Sequence, residues 1–257
     1  ILAEYLACGL DPNKVTIYRQ SDVPEVLELY LYLNMNAYLG ELERTTSFKD
    51  KARQQPNNVN AGLLTYPSLM AADILIHKAV KVPVGKDQEQ NMEMARRFAR
   101  RFNTIYQTEY FTEPASWHFG DKAIKIPGLD GSGKMGKSEG NAIYLIDDEK
   151  TLTKKVKRAV TDGGPTEPNS TMPEPIANLF TLLKIASSSE TYQHYLTAYN
   201  DCSIRYGDLK AQLAADLVAL TAPIRERILE LSSDQEHLNK VAREGAERAR
   251  ESARKTL

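Results

Sequence analysis

Apolar and polar residues alternate with two different periods along the first half of the chain. Short apolar runs bounded by polar residues at 14–21 (KVTIYRQS) and 81–85 (KVPVG) predict buried strands. Apolar residues that recur every three or four positions predict helices at 22–39, 65–79 and 86–103. Strands that alternate with helices are typical of a parallel α/β sheet.

The pattern changes in the second half, where we predict only helices. Residues 147–164 have an acidic start, a basic middle and a glycine stop, which indicates one charged helix. Beyond the proline-rich stretch 165–175, helical periodicity continues to Leu257, and the last helix is expected to be long and charged. We therefore predict an α/β domain over residues 1–150 and an all-helical domain over residues 151–257.

The start of the sequence (ILAEYLACGLDP) indicates the end of an amphipathic helix, with Gly9 and Pro12 as stop signals. The chain does not begin with Met. We therefore expect that further residues precede Ile1 in the natural protein.

Composition narrows the class of protein. With 42% hydrophobic and 26% charged residues, the 257-residue chain has the usages of a soluble globular protein. No apolar run approaches the length of a membrane span. Two distant cysteines, Cys8 and Cys202, argue against a disulfide framework and favour a reducing, cytoplasmic location. The net charge of −1 means that any nucleic-acid contact must use local basic patches.

Residues 128–141 (GLDGSGKMGKSEGN) almost match the phosphate-binding P-loop. That motif needs Ser or Thr directly after its lysine and a helix that begins there, whereas Met135 follows Lys134 and two glycines follow soon after. Lys134 and Lys137, with Ser138, suit a mobile loop that brings two cations to a phosphate chain. A solvated surface loop is the alternative.

A single carboxylate interrupts an apolar helix face. Tyr66, Met70, Asp73, Ile74 and His77 share one face of the helix at 65–79, in which Pro67 is expected in the first turn. A carboxylate in such surroundings is unfavourable unless it is paired. Asp73 is therefore either a core residue paired with the backbone or an arginine, or the acceptor at the bottom of an apolar ligand pocket.

Two further segments have both a functional and a structural interpretation. Gly85 ends a predicted strand and Asp87 follows at a helix start, where ligands of α/β sheets bind. Asp87 either accepts ribose hydroxyl groups or only caps the helix. The basic run 154–158 (KKVKR) either meets phosphates or is a solvated face.

Five segments, taken in order, resemble the bacterial tryptophanyl-tRNA synthetases, which are class I aminoacyl-tRNA synthetases. They are GELERTTSFKDK (40–51), GLLTYPSLMAADIL (62–75), VPVGKDQEQNMEMARRF (82–98), KMGKS (134–138) and KKVKRAVTD (154–162). The resemblance runs over essentially the whole chain, and KMGKS is similar to the family's mobile KMSKS signature.

The resemblance implies a Rossmann-like catalytic domain with a helical anticodon-binding domain, and a reaction. L-Tryptophan attacks the α-phosphate of ATP, and the tryptophanyl group then passes to tRNA. Mg²⁺ is expected to bind with ATP, without a dedicated set of protein ligands. Lys51, Lys134 and Lys137 are implied as catalytic residues that hold the phosphates. The implied ATP-binding residues are Gly85, Lys86, Asp87, Lys125, Ile126, Lys134, Met135, Gly136, Lys137 and Ser138. The implied tryptophan-binding residues are Asp73, which would accept the indole N–H, and Tyr66, Met70, Ile74, Val82, Val84 and Gln88. The family also implies a homodimer across which tRNA binds.

The sequence departs from the family pattern at three places. The HIGH-like motif would precede Ile1, so we expect the N-terminal part to be missing. Ser47 stands where the family usually has a glutamine near the amino acid. Gly136 replaces the central serine of the signature and adds backbone freedom.

Two other functions compete with this prediction. The first is a tyrosyl-tRNA synthetase, but a tyrosine pocket must satisfy a hydroxyl group that both donates and accepts, whereas indole only donates. One acceptor among apolar residues suits indole better. The second is a non-catalytic RNA-binding or signalling fragment of a synthetase.

Overall fold

The computed structural model describes residues 1–118 and 125–257, apart from the side chain of Lys86. The described residues form two compact units. We call residues 12–118 together with 239–257 the strand unit, and residues 1–11 together with 125–238 the helical unit.

The strand unit contains a parallel pair of strands among helices. Its elements are α2 (Glu25–Met35), α3 (Leu39–Leu42), α4 (Thr46–Gln54), α5 (Ala61–Leu75), β1 (Lys81–Pro83), α6 (Glu89–Tyr106) and β2 (Ala115–Trp117). Strands β1 and β2 pair in parallel, with Val82 opposite Ser116. Helix α5 packs against α2 and α6, and their apolar faces form one core.

Local sequence explains the two central helices of this unit. The Asn60 side chain caps α5 by accepting the Leu63 N–H at 3.0 Å. Met92, Ala95 and Phe98 lie on the buried face of α6, as its periodicity predicts. Both helices therefore present one apolar face to the common core.

The helical unit is built around a long helix. Its elements are α1 (Leu2–Ala7), α7 (Glu149–Lys157), α8 (Glu174–Ala186), α9 (Ser189–Asn200) and α10 (Tyr206–Ser233). Helix α10 contacts α1, α7 and α8, and Leu152, Leu183 and Leu213 are buried in the core that α7, α8 and α10 share. Helix α11 (Gln235–Arg254) begins in the helical unit and ends in the strand unit.

Residues 14–21 do not form the predicted strand, because α11 packs directly against their backbone: a Cβ atom at Gly245 of α11 would collide with the Ile17 carbonyl oxygen. The segment is irregular and ends in a 3₁₀ turn at Gln20–Asp22. Arg248 donates to the Pro12 carbonyl oxygen at 2.9 Å, and Arg250 donates to the Asp22 carbonyl oxygen at 2.6 Å. The arginines of α11 therefore bind the backbone on both sides of the segment.

Several helix boundaries also differ from the prediction. Helix α5 runs from Ala61 to Leu75 rather than over 65–79, so Pro67 lies inside the helix and not in its first turn, and His77 lies in the turn that follows the helix. The predicted long, charged last helix is α11, which begins after Asp234, whose side chain accepts the His237 N–H at 2.9 Å.

The predicted fold class, an α/β part with parallel strands followed by helices, is confirmed. The predicted domain boundary at 150/151 stays a prediction, since the compact units group the chain by contacts and assign the end of α11 to the strand unit. Within the described residues, no helix combines the length and the apolarity needed to cross a bilayer.

Candidate active site

Asp73, on the last turns of α5, is half-buried and pairs with a neutral amide. Gln20 Nε2 lies 2.7 Å from both carboxylate oxygens of Asp73. Burial raises the pKa of Asp73, and the hydrogen bond from Gln20 and the nearby His77 oppose that rise. The partner is thus neither the backbone nor an arginine, and the carboxylate keeps acceptor capacity because two oxygens offer about four lone-pair positions.

A second chain of hydrogen bonds runs beside this carboxylate. The Tyr18 hydroxyl group lies 2.9 Å from His77 Nε2, and His77 Nδ1 lies 3.1 Å from the Ser252 hydroxyl oxygen of α11. Burial lowers the pKa of His77, and Asp73 partly offsets this. We call Asp73, Gln20, Tyr18 and His77 the acceptor site.

The apolar residues predicted to line the tryptophan site all pack into one core. Ile74 is buried, and Met70, Val82 and Val84 are partly buried against the core that α5 and α6 share. Because these side chains are apolar, Asp73 is the acidic group among the residues predicted to bind tryptophan.

Ser47, Lys51 and Tyr66 meet where α4 packs on α5. The Ser47 hydroxyl group makes a short hydrogen bond with the Tyr66 hydroxyl group. The Lys51 ammonium group lies 5.2 Å from the centre of the Tyr66 ring, a cation–π contact. A residue predicted to hold phosphates therefore lies beside one predicted to bind the amino acid.

The predicted ATP-contacting turn follows β1. Gly85 precedes the 3₁₀ turn Lys86–Gln88, and α6 has Gln88 rather than Asp87 at its N-cap. Gln88 Nε2 donates to Asp87 at 2.9 Å. The side chain of Lys86 lies outside the described part of the chain.

His118 follows β2 and forms hydrogen bonds with residues on both sides of this turn. Its two ring nitrogens lie 2.8 Å from the Val84 carbonyl oxygen and 2.7 Å from a Glu89 carboxylate oxygen. Sequence reasoning did not single out His118, since a lone histidine carries no local motif.

Residues 128–141, which we call the glycine loop, belong to the helical unit. Residues 135–136, after Lys134, are irregular and a turn follows at 137–140, so the helix that a P-loop requires is not formed there. Met135 donates its N–H to the Ile126 carbonyl oxygen at 2.8 Å and packs partly against the core of the unit. Ile126 and Met135, both predicted to bind ATP, are therefore hydrogen-bonded to each other.

The two signature lysines are exposed. Across residues 1–118 and 125–257, neither lysine forms an ion pair. An open cavity of about 710 Å³ is lined by the loop from Lys134 to Glu139. Lys125 is exposed as well. The predicted ATP-binding residues are thus divided between the two units, and those of the glycine loop present cations to solvent.

Comparison with known proteins identifies the family. A family model described as class I tRNA synthetases for tryptophan and tyrosine matches residues 1–222. The tryptophan–tRNA ligase of Porphyromonas gingivalis is 76% identical over 257 residues, which cover 100% of this chain and 79% of the relative.

Comparison with solved structures supports the same family assignment. The tryptophanyl-tRNA synthetase of Campylobacter jejuni, in complex with ADP and tryptophan, has a TM-score of 0.86 and 35% identity, covering 99% of this chain and 78% of that one. That of Mycoplasma pneumoniae has a TM-score of 0.76 and 31% identity, covering 99% and 78%. The chain therefore belongs to the class I tRNA synthetases of the tryptophan and tyrosine group and, within that group, to the tryptophan–tRNA ligases. The predicted resemblance is confirmed.

Proposed function

We propose that this protein activates L-tryptophan with ATP and transfers it to tRNA through a tryptophanyl-adenylate intermediate. One observation carries the choice of amino acid: Asp73 is a half-buried carboxylate on the helix whose Met70 and Ile74 pack into the core, and among the residues that the structure describes its hydrogen-bonding side-chain partner is a neutral amide. Membership of the tryptophan–tRNA ligases supports the reaction.

Asp73 suits an indole N–H for electrostatic reasons. Burial disfavours its charge, since it raises the pKa of the carboxyl group, and Gln20 satisfies only part of its acceptor capacity. A donor that reaches Asp73 would complete the hydrogen bonding of this half-buried carboxylate. A hydrogen bond to such a charged acceptor is worth about 1.5–3 kcal/mol.

ATP use is implied by the family, and we assign its phosphates to lysines of the glycine loop. Lys134 and Lys137 are exposed, and their loop borders an open cavity. As the bond from the α-phosphate to pyrophosphate breaks, negative charge grows on the leaving group, and these ammonium groups would stabilise it. Lys51 would add a third cation.

Magnesium fits as an ion carried by ATP. Within the described residues, no group of three or more His, Cys, Asp or Glu side chains is arranged to hold a metal. Mg²⁺ commonly binds substrate phosphates with few protein ligands, and it would supply charge neutralisation there.

Tryptophan-dependent exchange of pyrophosphate into ATP tests the proposal. We expect the full-length protein to catalyse exchange with tryptophan and not with tyrosine, because a phenol hydroxyl group needs both a donor and an acceptor. Exchange with tyrosine alone would support the tyrosine enzyme, and no exchange with either amino acid would support a non-catalytic RNA-binding protein.

The basic helix α7 is our proposed contact for tRNA. Lys150, Lys154, Lys157 and Arg158 line an open cavity of about 800 Å³ on this helix. Ammonium and guanidinium groups on one surface bind phosphates by releasing counterions.

Charge reversal tests this contact. The double variant Lys154→Glu with Lys157→Glu is expected to weaken tRNA binding by roughly tenfold or more and to reduce its salt dependence. Pyrophosphate exchange should not change. Lys184→Glu, on an exposed position of α8, is the matched control. Equal binding by both variants would refute this assignment.

We propose a homodimer that uses the exposed apolar face of α2. Leu27, Leu31 and Met35, which follow one another at four-residue spacing, are 59%, 54% and 76% exposed, and Tyr38 and Leu39 continue the patch. A second copy would bury this stripe. Sedimentation equilibrium should show a dimer for the wild type and a monomer for Leu31→Lys. Leu220→Lys, at an exposed leucine of α10, should stay dimeric.

A further inference from the structure

The carboxamide of Asn141 lies at the centre of the glycine loop. Its Nδ2, which has two hydrogens to donate, lies 2.9 Å from Asp130 Oδ1 and 3.0 Å from both Ser132 Oγ and the Lys134 carbonyl oxygen, so these three acceptors share its N–H groups. Its Oδ1 accepts the Gly136 N–H at 2.9 Å. Asn141 is only 6% exposed, although most of the loop is exposed. One buried amide therefore ties four points of the loop together.

Two neighbouring residues, Gly128 and Asp130, accommodate the carboxamide of Asn141. A Cβ atom at Gly128 would collide with Asn141 Nδ2, and it would lie 2.5 Å from Asp130 Oδ1 and 2.7 Å from Ser132 Oγ. Hydrogen bonds from Ser132 and then Asn141 lower the pKa of Asp130, so this carboxylate is charged and accepts at neutral pH. Gly128 thus provides space for the amide, and Asp130 provides a charged acceptor.

The bonds from Asn141 fall on the backbone that carries the signature lysines. The Lys134 carbonyl group and the Gly136 N–H lie on either side of Met135, and Gly136 directly precedes Lys137. Glycine allows many backbone conformations, so Gly136 alone would leave Lys137 poorly oriented. The Asn141 side chain supplies the restraint that the sequence of the signature itself lacks.

We propose that Asn141 is a positioning residue for adenylate formation: it fixes the peptide groups that orient Lys134 and Lys137 toward the phosphates. This inference rests on the proposed function. Asn141 acts through the loop backbone and does not itself contact substrate. Displacement of a catalytic group by about 1 Å can cost roughly 100-fold in rate. Removal of the carboxamide therefore should lower kcat and leave tryptophan binding intact.

The direct test is Asn141→Ala in the full-length protein, assayed by tryptophan-dependent pyrophosphate exchange. We expect kcat to fall by about 10- to 100-fold, with the KM for tryptophan unchanged. The matched control is Asn103→Ala in the strand unit. Asn103 also bridges a backbone, since it donates to the Phe111 carbonyl oxygen at 2.8 Å and accepts the Phe111 N–H at 3.0 Å. This variant loses comparable hydrogen bonds but should retain wild-type kcat.

A double-mutant cycle separates positioning from general destabilisation. If Asn141 acts by orienting Lys134, then Asn141→Ala should cost much less in a Lys134→Ala background than in the wild type. Additive losses would overturn the inference. Wild-type kcat for Asn141→Ala would overturn it as well.

A second variant covers the case in which Asn141→Ala does not fold. Asn141→Asp keeps the shape and the acceptor for the Gly136 N–H but loses the donors and faces the charged Asp130. We expect the same loss of kcat, and wild-type kcat for Asn141→Asp would contradict the inference. Hydrogen exchange at the Gly136 amide, in the absence of substrate, should accelerate in Asn141→Ala and not in Asn103→Ala. An inactive wild-type protein would instead refute the proposed function, and this inference with it.

Discussion

The acceptor site and the glycine loop are held together in opposite ways. Gln20 and Asp73 are 53 residues apart in sequence, and His77 and Ser252 are 175 residues apart. In the glycine loop, Asn141 reaches only 11 residues back to Asp130. The first site therefore depends on tertiary structure, whereas the second is a local unit that carries exposed cations.

This difference matches two tasks. Recognition of an indole needs an acceptor whose position is set before the ligand arrives, and long-range packing provides that. Charge stabilisation during phosphoryl transfer needs cations that arrive in the right orientation, and a locally braced loop can move as one piece while it keeps its shape. The two regions should therefore respond differently to substitution.

The largest expected effect concerns the acceptor site. N1-methyl-tryptophan cannot donate from its indole nitrogen to Asp73, and its methyl group would lie against the half-buried carboxylate. Sites that hydrogen-bond a substrate group reject analogues that lack it by factors on the order of 10⁴. We expect kcat/KM in pyrophosphate exchange to fall to that extent. A loss of less than tenfold would show that the pocket does not use the indole N–H.

The second effect belongs to the glycine loop. Lys137→Ala should lower kcat for adenylate formation by roughly 100-fold or more, the scale of one preorganised electrostatic contact, with little change in tryptophan binding. The measurement is pyrophosphate exchange beside equilibrium binding of tryptophan. A near-normal kcat would show that the glycine loop is only a linker. The two regions would then no longer differ in the way proposed, with one recognising the indole and the other stabilising the phosphates.

The third effect tests how α11 supports the acceptor site. A Cβ atom at Gly245 would collide with the Ile17 carbonyl oxygen, next to Tyr18. Gly245→Ala should destabilise the protein by about 1–3 kcal/mol, the usual cost of overpacking, and raise the KM for tryptophan. Gly207→Ala, at a helical glycine with open space around it, is the control and should be neutral or stabilising. Thermal or urea unfolding measures both. Equal effects from the two variants would contradict the close approach.

The smallest effect is a pH dependence. Burial lowers the pKa of His77 in the folded state. The stability that neutral His77 contributes is therefore full above its ordinary pKa of about 6.5, and it is lost as the pH falls through the lowered value. Because burial raises the pKa of Asp73, that group has the opposite sign: its contribution is lost as the pH rises.

Comparison with the variant His77→Gln isolates the contribution of His77 to the pH dependence of stability. The melting temperature of the wild type minus that of His77→Gln should decrease as the pH is lowered from 7.5 to 5. A difference that is constant over this range would show that His77 does not titrate in a buried environment.

The spacing of apolar residues predicted most of the helices, because apolar residues recur on the face of a helix that is buried. Helices α5 and α6 overlap the segments that their apolar periodicity predicts, although their ends differ by three or four residues, and Asp73 was found since it interrupts such a face. The signature lysines were found from a short motif. In each case the relevant signal lies within about 18 residues, the window that periodicity uses.

Long-range contacts explain most of what the sequence did not reveal. Gln20 lies in a segment predicted to be a strand, and its partner on α5 is distant in sequence. The arginines of α11 that hold this segment are more distant still. Asn141 was missed for another reason: its importance comes from four polar groups that converge in three dimensions, which no periodic pattern records.

The central claim is that Asp73 selects tryptophan by accepting its indole N–H, and one measurement tests it most directly. The kcat/KM values of wild type and Asp73→Ala are compared for tryptophan and N1-methyl-tryptophan, beside their melting temperatures. We predict that Asp73→Ala loses tryptophan activation, keeps ATP binding and discriminates far less between the two amino acids. A variant that melts at a lower temperature but keeps the wild-type preference for tryptophan would contradict the claim and make Asp73 a structural residue of the core.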